Sequence, residues 1–167
     1  MAGRLELGRI VRSATGTGGD AAAVCASLYA FAQGIDTRDW KLLESQFTDP
    51  FSLDYSSHRA GSVGTMSPSA WVARARRRFQ TMTATQHSMT NPRVDIDGDS
   101  ARCRMYIEAW HVAEIAGGTE WCTIGGEYHN RLQRIDGRWL ISHLELERRW
   151  TIGNPDVLDL PTVDGAA

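Results

Sequence analysis

Apolar residues recur at three- and four-residue spacing early in the chain, with Val24, Leu28, Phe31 and Ile35 running through and just beyond the Ala-rich stretch Ala21 to Gln33. That period marks one side of a helix, and Asp20 stands where an N-cap belongs. Gly34 sits where a helix commonly stops. Trp40, Leu43 and Phe47 give helical spacing to a second run that begins at Thr37 or Arg38, so Asp36 falls at the corner between two helices. A third helix opens at Ser67-Pro68, where Ser caps and Pro is tolerated in the first turn, with Trp71, Ala75 and Phe79 as its inward stripe.

Elsewhere the period shortens to two. Phe51 to Tyr55 alternates as a short strand after the break at Asp49-Pro50, and Ser56 to Thr65 reads as a loop. From Thr83 onward the chain is strand-like: Thr83 to Ile96 (interrupted at Asn91-Pro92), Ser100 to Ile115, Trp121 to Ile135 and Arg138 to Trp150. Asp97-Gly98, Gly117-Gly118 and Asp136-Gly137 supply the turns between them. Helices first and a long meander afterwards define an α+β domain, in which a strongly curved sheet around the helices would enclose a pocket. Residues 1–19, with their Ser/Thr/Gly-rich stretch, are expected to form a flexible lead-in. Residues 20–150 form the domain, and 151–167, with Pro155 and Pro161, an extended tail.

Composition narrows the function classes. At 167 residues the chain suits one hydrophobic core. A net charge of -2 gives no basic excess for nucleic acid. Neither a signal-peptide run nor a membrane-spanning stretch is found, so no membrane partner and a cytoplasmic location are expected. Cys25, Cys103 and Cys122 lack CxxC spacing and are expected to be reduced and buried. No HxH, HExxH or phosphate-cradling glycine motif occurs, so neither metal nor nucleotide cofactor is expected. Arg74, Arg76, Arg77 and Arg78 spread around the third helix and read as a solvated face rather than an anion site.

Three phrases occur in one order: Gly34-Ile35-Asp36-Thr37-Arg38-Asp39-Trp40, Gln86-His87-Ser88-Met89-Thr90-Asn91 and Gly125-Gly126-Glu127-Tyr128-His129-Asn130. Together they resemble the SnoaL-like branch of the nuclear transport factor 2-like superfamily, over roughly Ala21 to Trp150. The resemblance implies a cone-shaped antiparallel or mixed sheet wrapped around N-terminal helices, commonly in a homo-oligomer, trimer or dimer. Its members include cofactor-free lyases such as scytalone dehydratase, hexachlorocyclohexane dehydrochlorinase and bile-acid 7α-dehydratase. In these a His held by an Asp removes a proton as a leaving group departs, and Asp36 and His87 match that pair. Two departures stand out: Phe31 replaces a Lys or Tyr five positions before the Asp, and Ala109 replaces an Asp on the second long strand.

The residue chemistry agrees with that pairing. Imidazole has the unperturbed side-chain pKa nearest neutrality, so His87 suits proton abstraction. A carboxylate on the far ring nitrogen, from Asp36, would fix the tautomer. The bland alternative is a strand histidine and a helix-corner aspartate that caps the next helix. Tyr29, two helical turns before Asp36, could reach the pocket or be an ordinary core tyrosine. The two-residue repeat puts Cys103, Met105, Ile107, Ala109 and His111 on one face and Cys122, Ile124, Gly126, Tyr128 and Asn130 on the matching face of the next strand, unless a bulge at Gly125-Gly126 swaps it. With Phe31 and Tyr55, the larger of these are the expected substrate wall. His129 and His143 fall on outward faces and His58 in a loop, so all three read as surface residues.

Three functions fit: a lyase eliminating water or a similar group from a small cyclic apolar substrate, an isomerase or polyketide-type cyclase with the same pocket, or a non-catalytic assembly module like the small subunit of a ring-hydroxylating dioxygenase.

Overall fold

The structure is a computed structural model and describes residues 18–115 and 117–160. Most of the expected lead-in and the end of the expected tail lie outside the described residues. Helix α1 spans Gly18–Asp36, α2 Trp40–Glu44 and α3 Pro68–Phe79. The strands are β1 Phe47–Asp54, β2 Val63–Met66, β3 Ala84–Asp97, β4 Ser100–Ile115, β5 Gly118–Ile135 and β6 Arg138–Gly153. They form one curved, unclosed sheet in the order β2-β1-β6-β5-β4-β3, with β1 parallel to β6 and every other pair antiparallel.

Several boundaries differ from the sequence reading for local physical reasons. Asp20 lies inside the first turn of α1, where it meets Arg134 at 2.9 Å, rather than at a cap. Gly34 does not end α1. It is the point where α2 crosses, and a Cβ there would lie 2.9 Å from the Leu43 backbone nitrogen. The second helix is only five residues long because Arg38 takes a positive φ of 61° and Asp39 caps the turn by accepting from the Leu42 N–H. Part of the expected loop after Tyr55 pairs with β1 as the short strand β2. Instead of an extended tail, the chain after Thr151 completes β6 and turns into a 3-10 helix, Pro155–Asp159, that buries Val157 and Leu158.

Strand β4 alternates exposed and buried with almost no break, and Cys103, Met105, Ile107, Ala109 and His111 form its buried face. The register carries that face onto β5, where Met105 sits opposite Tyr128 and Ile107 opposite Gly126. The irregularity at Gly125/Gly126 lies in the pairing of β5 with β6, as Gly125 faces Trp150 and Gly126 faces Arg148. Arg149 is therefore the extra residue, and the inward face of β5 keeps its phase. Helix α1 lays Val24, Leu28, Phe31 and Ile35 onto the inner face, and these residues share one core cluster with the β4 and β5 residues. That packing brings the C-terminal end of α1 against the sheet's free edge, β3.

Candidate functional site

An edge strand leaves one row of backbone groups without a strand partner. On β3, one such group is the N–H of His87, and the Asp36 carboxylate takes the place of a neighbouring strand. Its Oδ2 accepts from the His87 backbone N–H at 2.7 Å, and its Oδ1 meets the same residue's ring Nδ1 at 2.7 Å. Thr85, two residues earlier on the same side of β3, donates its hydroxyl to Oδ1 at 3.0 Å and accepts from Arg38 Nη1 at 2.8 Å. Arg38 in turn caps the end of α1 through the Ile35 carbonyl at 2.6 Å. The carboxylate is thus fixed by three donors at a helix terminus and a sheet edge, and the His87 side chain is only 5% exposed.

Burial alone would raise the Asp36 pKa, but the hydrogen bonds and charge of His87 and the Thr85 hydroxyl outweigh it and hold the carboxyl below its usual range. An ionised carboxylate can only accept, so His87 Nδ1 carries a proton, and Nε2 is the ring nitrogen that can gain or lose one.

A cavity of about 550 Å³ lies behind the rings that His87 touches, and neither Asp36 nor His87 is among its lining residues. Tyr55, Trp71, Phe79, His111 and Leu158 supply its apolar wall. His87 stands one ring behind: it meets Phe79 edge-on at 6.0 Å and His111 edge-on at 5.8 Å, and those two rings stack 6.3 Å apart. His111 is buried, with Nδ1 3.3 Å from the Cys122 carbonyl. Its pKa is pushed down to about 3, by burial first and then by His87, so it is a neutral imidazole with Nε2 as acceptor. The Tyr55 and Tyr128 hydroxyls lie 3.1 Å apart. Burial drives the Tyr128 phenol up to about 12 and that of Tyr55 well above its ordinary value, so both remain protonated.

The expected substrate wall divides in two. Tyr55 and His111 line the cavity, and Tyr128 reaches it through Tyr55. Phe31 on α1 and Met105, Ile107 and Ile124 on the sheet are core instead, packed together in one buried cluster; the Phe31 ring packs edge-on against Phe47 and Tyr128. Tyr29 is 45% exposed on α1 and lies outside the cavity wall. Asn130 is buried with neither side-chain polar atom hydrogen-bonded, and it too lies outside that wall.

One sequence expectation fails at this cavity. His58, read as a surface residue, lines the cavity, where burial and then the charges of Arg148, Arg59 and Arg78 push its pKa down to about 4. Arg74, Arg77 and Arg78 lie on the same wall together with Arg59; Arg74 and Arg77 are exposed, as the solvated-face reading has it, and Arg78 is half-buried. Their i, i+3, i+4 spacing is the signal that could have revealed this, and Arg76 alone departs from it. A further grouping, Glu127, His129 and Glu147, has three possible metal-ligating side chains within 4.8 Å of one another. Its carboxylates are already engaged: Glu127 by Arg104 at 2.8 Å and Arg149 at 2.7 Å, and Glu147 by Arg149 at 3.2 Å.

A mixed, curved sheet wrapped around N-terminal helices, with a carboxylate-held histidine at its edge beside a cavity, defines a cone-shaped α+β domain of the nuclear transport factor 2-like kind. More narrowly, the chain belongs to the SnoaL-like domain family, whose profile matches residues 19–145. Among solved structures it is similar to the Kfla4162 protein of Kribbella flavida, with 24% identity, 84% of this chain and 97% of the other covered, and a TM-score of 0.80. It is also similar to a scytalone dehydratase-like protein of Novosphingobium aromaticivorans, with 17% identity, 81% and 88% coverage, and a TM-score of 0.71. The type 3 hexachlorocyclohexane dehydrochlorinase of Novosphingobium barchaimii gives 18%, 81% and 90%, and 0.67. These likenesses establish the fold. No curated protein matches the chain, and no helix among the described residues is long and apolar enough to cross a membrane.

Proposed function

We propose that this protein is a lyase that eliminates water or a comparable leaving group from a small cyclic substrate, with His87 as the base. The observation that carries the reading is the double contact of one carboxylate with one histidine. Asp36 binds both the backbone N–H and ring Nδ1 of His87 at 2.7 Å, which fixes the ring and leaves Nε2 as the basic atom. Nε2 takes a proton from carbon, the electron pair of that C–H bond becomes the new double bond, and the C–O bond breaks. The Asp36 carboxylate stabilises the imidazolium that forms, and Asp36 is therefore a positioning residue. Proton return from the imidazolium to the departing hydroxide gives water and restores the resting state.

The wall residues suit the same step. The protonated Tyr55–Tyr128 pair has a hydroxyl proton to offer a leaving oxygen, and the bare Nε2 of neutral His111 can accept from a substrate hydroxyl. Dehydratase- and dehydrochlorinase-type neighbours with the same fold support a lyase reading over a purely structural one.

The test is turnover of a panel of hydroxylated cyclic compounds, read by product mass, for wild type, His87→Gln and Asp36→Asn. Loss of one water by wild type, with a fall of about 10²–10⁴ in His87→Gln, supports the proposal. Product of unchanged mass would reassign the site to isomerisation or cyclisation. Undiminished turnover in a folded His87→Gln protein would remove His87 from the chemistry.

A further inference from the structure

The mouth of the cavity carries more positive charge than its fold requires. Arg59, Arg74, Arg77 and Arg78 line it, and Asp159 is the one carboxylate among the lining residues. Their existing partners leave most of that charge uncompensated. Arg59 reaches Asp159 at 2.7 Å and the Leu158 carbonyl at 3.3 Å. Arg74 donates to the Ser62 hydroxyl at 3.0 Å, and Arg78 Nη1 donates to the Leu160 carbonyl at 3.2 Å. Arg78 Nη2 is buried and has no hydrogen-bond partner, and the indole N–H of Trp71 in the same wall is in the same condition.

A buried guanidinium donor without an acceptor is costly, because a lost hydrogen bond to a charged group is dearer than one to a neutral group. The field of these arginines is felt by their neighbours. Burial first, and then the charge of Arg59, lowers the Arg78 pKa, while Arg148, Arg59 and Arg78 add to the burial that depresses His58.

We propose that the substrate carries an oxyanion, a carboxylate or a phosphate, held at the cavity mouth by Arg78 with Arg59 and Arg74, while its apolar ring lies against Trp71 and Phe79 toward His111. Guanidinium is suited to such a group because its planar fork pairs two N–H donors with two oxygens. The arrangement puts the anion at the entrance and the ring beside the His87–His111 contact, so the anion orients the substrate and stays clear of the reacting carbon. This inference rests on the cavity being the substrate site, and names the class of substrate that it takes.

The test is calorimetric binding of three probes of one ring size, 2-naphthoate, 2-naphthyl phosphate and neutral 2-naphthamide, to wild type, R78Q, R59Q and H87Q. The expected result is that at least one anion binds wild type about tenfold or more tighter than the amide, and which anion does so separates a carboxylate from a phosphate substrate. R78Q should abolish that preference with amide binding unchanged, and R59Q, a change in an exposed loop with little risk to folding, should reduce it. H87Q should keep the preference for anion over amide even if it weakens all three probes alike, so a failed base assignment and a failed anion site give different patterns. Equal binding of amide and anions by wild type, no measurable anion binding, or a preference that survives in both R78Q and R59Q would overturn the proposal.

Discussion

Acid should weaken this fold well above the range where carboxylates titrate, through His58, whose pKa is lowered to about 4, and above all through His111. Its ring is buried, packed on Phe79 and tied to the Cys122 carbonyl, and its pKa falls from 6.5 to about 3. A histidine with a lowered native pKa binds fewer protons folded than unfolded, so unfolding takes up a proton. Stability is then complete above the unfolded value near 6.5 and declines as pH falls toward the folded value near 3. Each unit of that interval is worth about 1.4 kcal/mol, so at about pH 4.5, two units below the unfolded pKa, His111 contributes a loss of roughly 2–3 kcal/mol. Against a total stability of about 5–15 kcal/mol the loss is easily measured. Urea unfolding at about pH 7 and pH 4.5 should show His111→Phe losing roughly 2–3 kcal/mol less than wild type between the two conditions. Phe keeps a flat ring against Phe79 and cannot titrate. Equal losses in the two proteins would refute the claim that His111 is held neutral.

Other consequences are as direct. Asp36 has its pKa lowered, so its stabilisation is fully present above the unfolded carboxylate value near 3.9 and disappears as pH falls through the lower folded value; Asp36→Asn should flatten the acid limb of stability below about pH 4 and leave the His111 slope above it intact. Gly34→Ala should cost about 1–3 kcal/mol in unfolding free energy, because the new methyl meets the Leu43 backbone at 2.9 Å. Thr85→Val removes one donor to Asp36 while keeping a β-branched side chain, and should lower kcat more than it raises KM on any substrate the panel yields. If it changes KM alone, Thr85 acts on binding rather than on the base.

The parts of this fold that were legible in the sequence are those set by local period and turn chemistry. The strict alternation of β4 follows from Ser100 to Ile115 residue by residue. The hairpin turns follow from residues that tolerate left-handed backbone, with φ of 56° at Gly98, 51° at Asp136 and 77° at Gly137. The meeting of Asp36 with His87 came from motif order, since no local pattern relates residues fifty-one positions apart. What alternation could not tell is whether a buried face meets a cavity or a helix. Met105 and Ile107 share their face with His111, yet α1 covers the first two and the cavity reaches the third. The arginine wall was missed for a related reason. Its arginines come from α3 and the loop after Tyr55, with Leu158 and Asp159 of the C-terminal 3-10 helix in the same lining, an assembly that no single stretch of sequence encodes.

The proposed proton abstraction depends above all on the state of the His87 ring, and long-range proton–nitrogen NMR of the resting protein reads that state without a substrate. Near neutral pH the neutral ring should carry its proton on Nδ1, with Nε2 bare, and Asp36→Asn should abolish that preference. A resting His87 protonated on Nε2 instead, or a tautomer indifferent to the loss of the Asp36 carboxylate, would contradict the assignment of this histidine as a base held by Asp36.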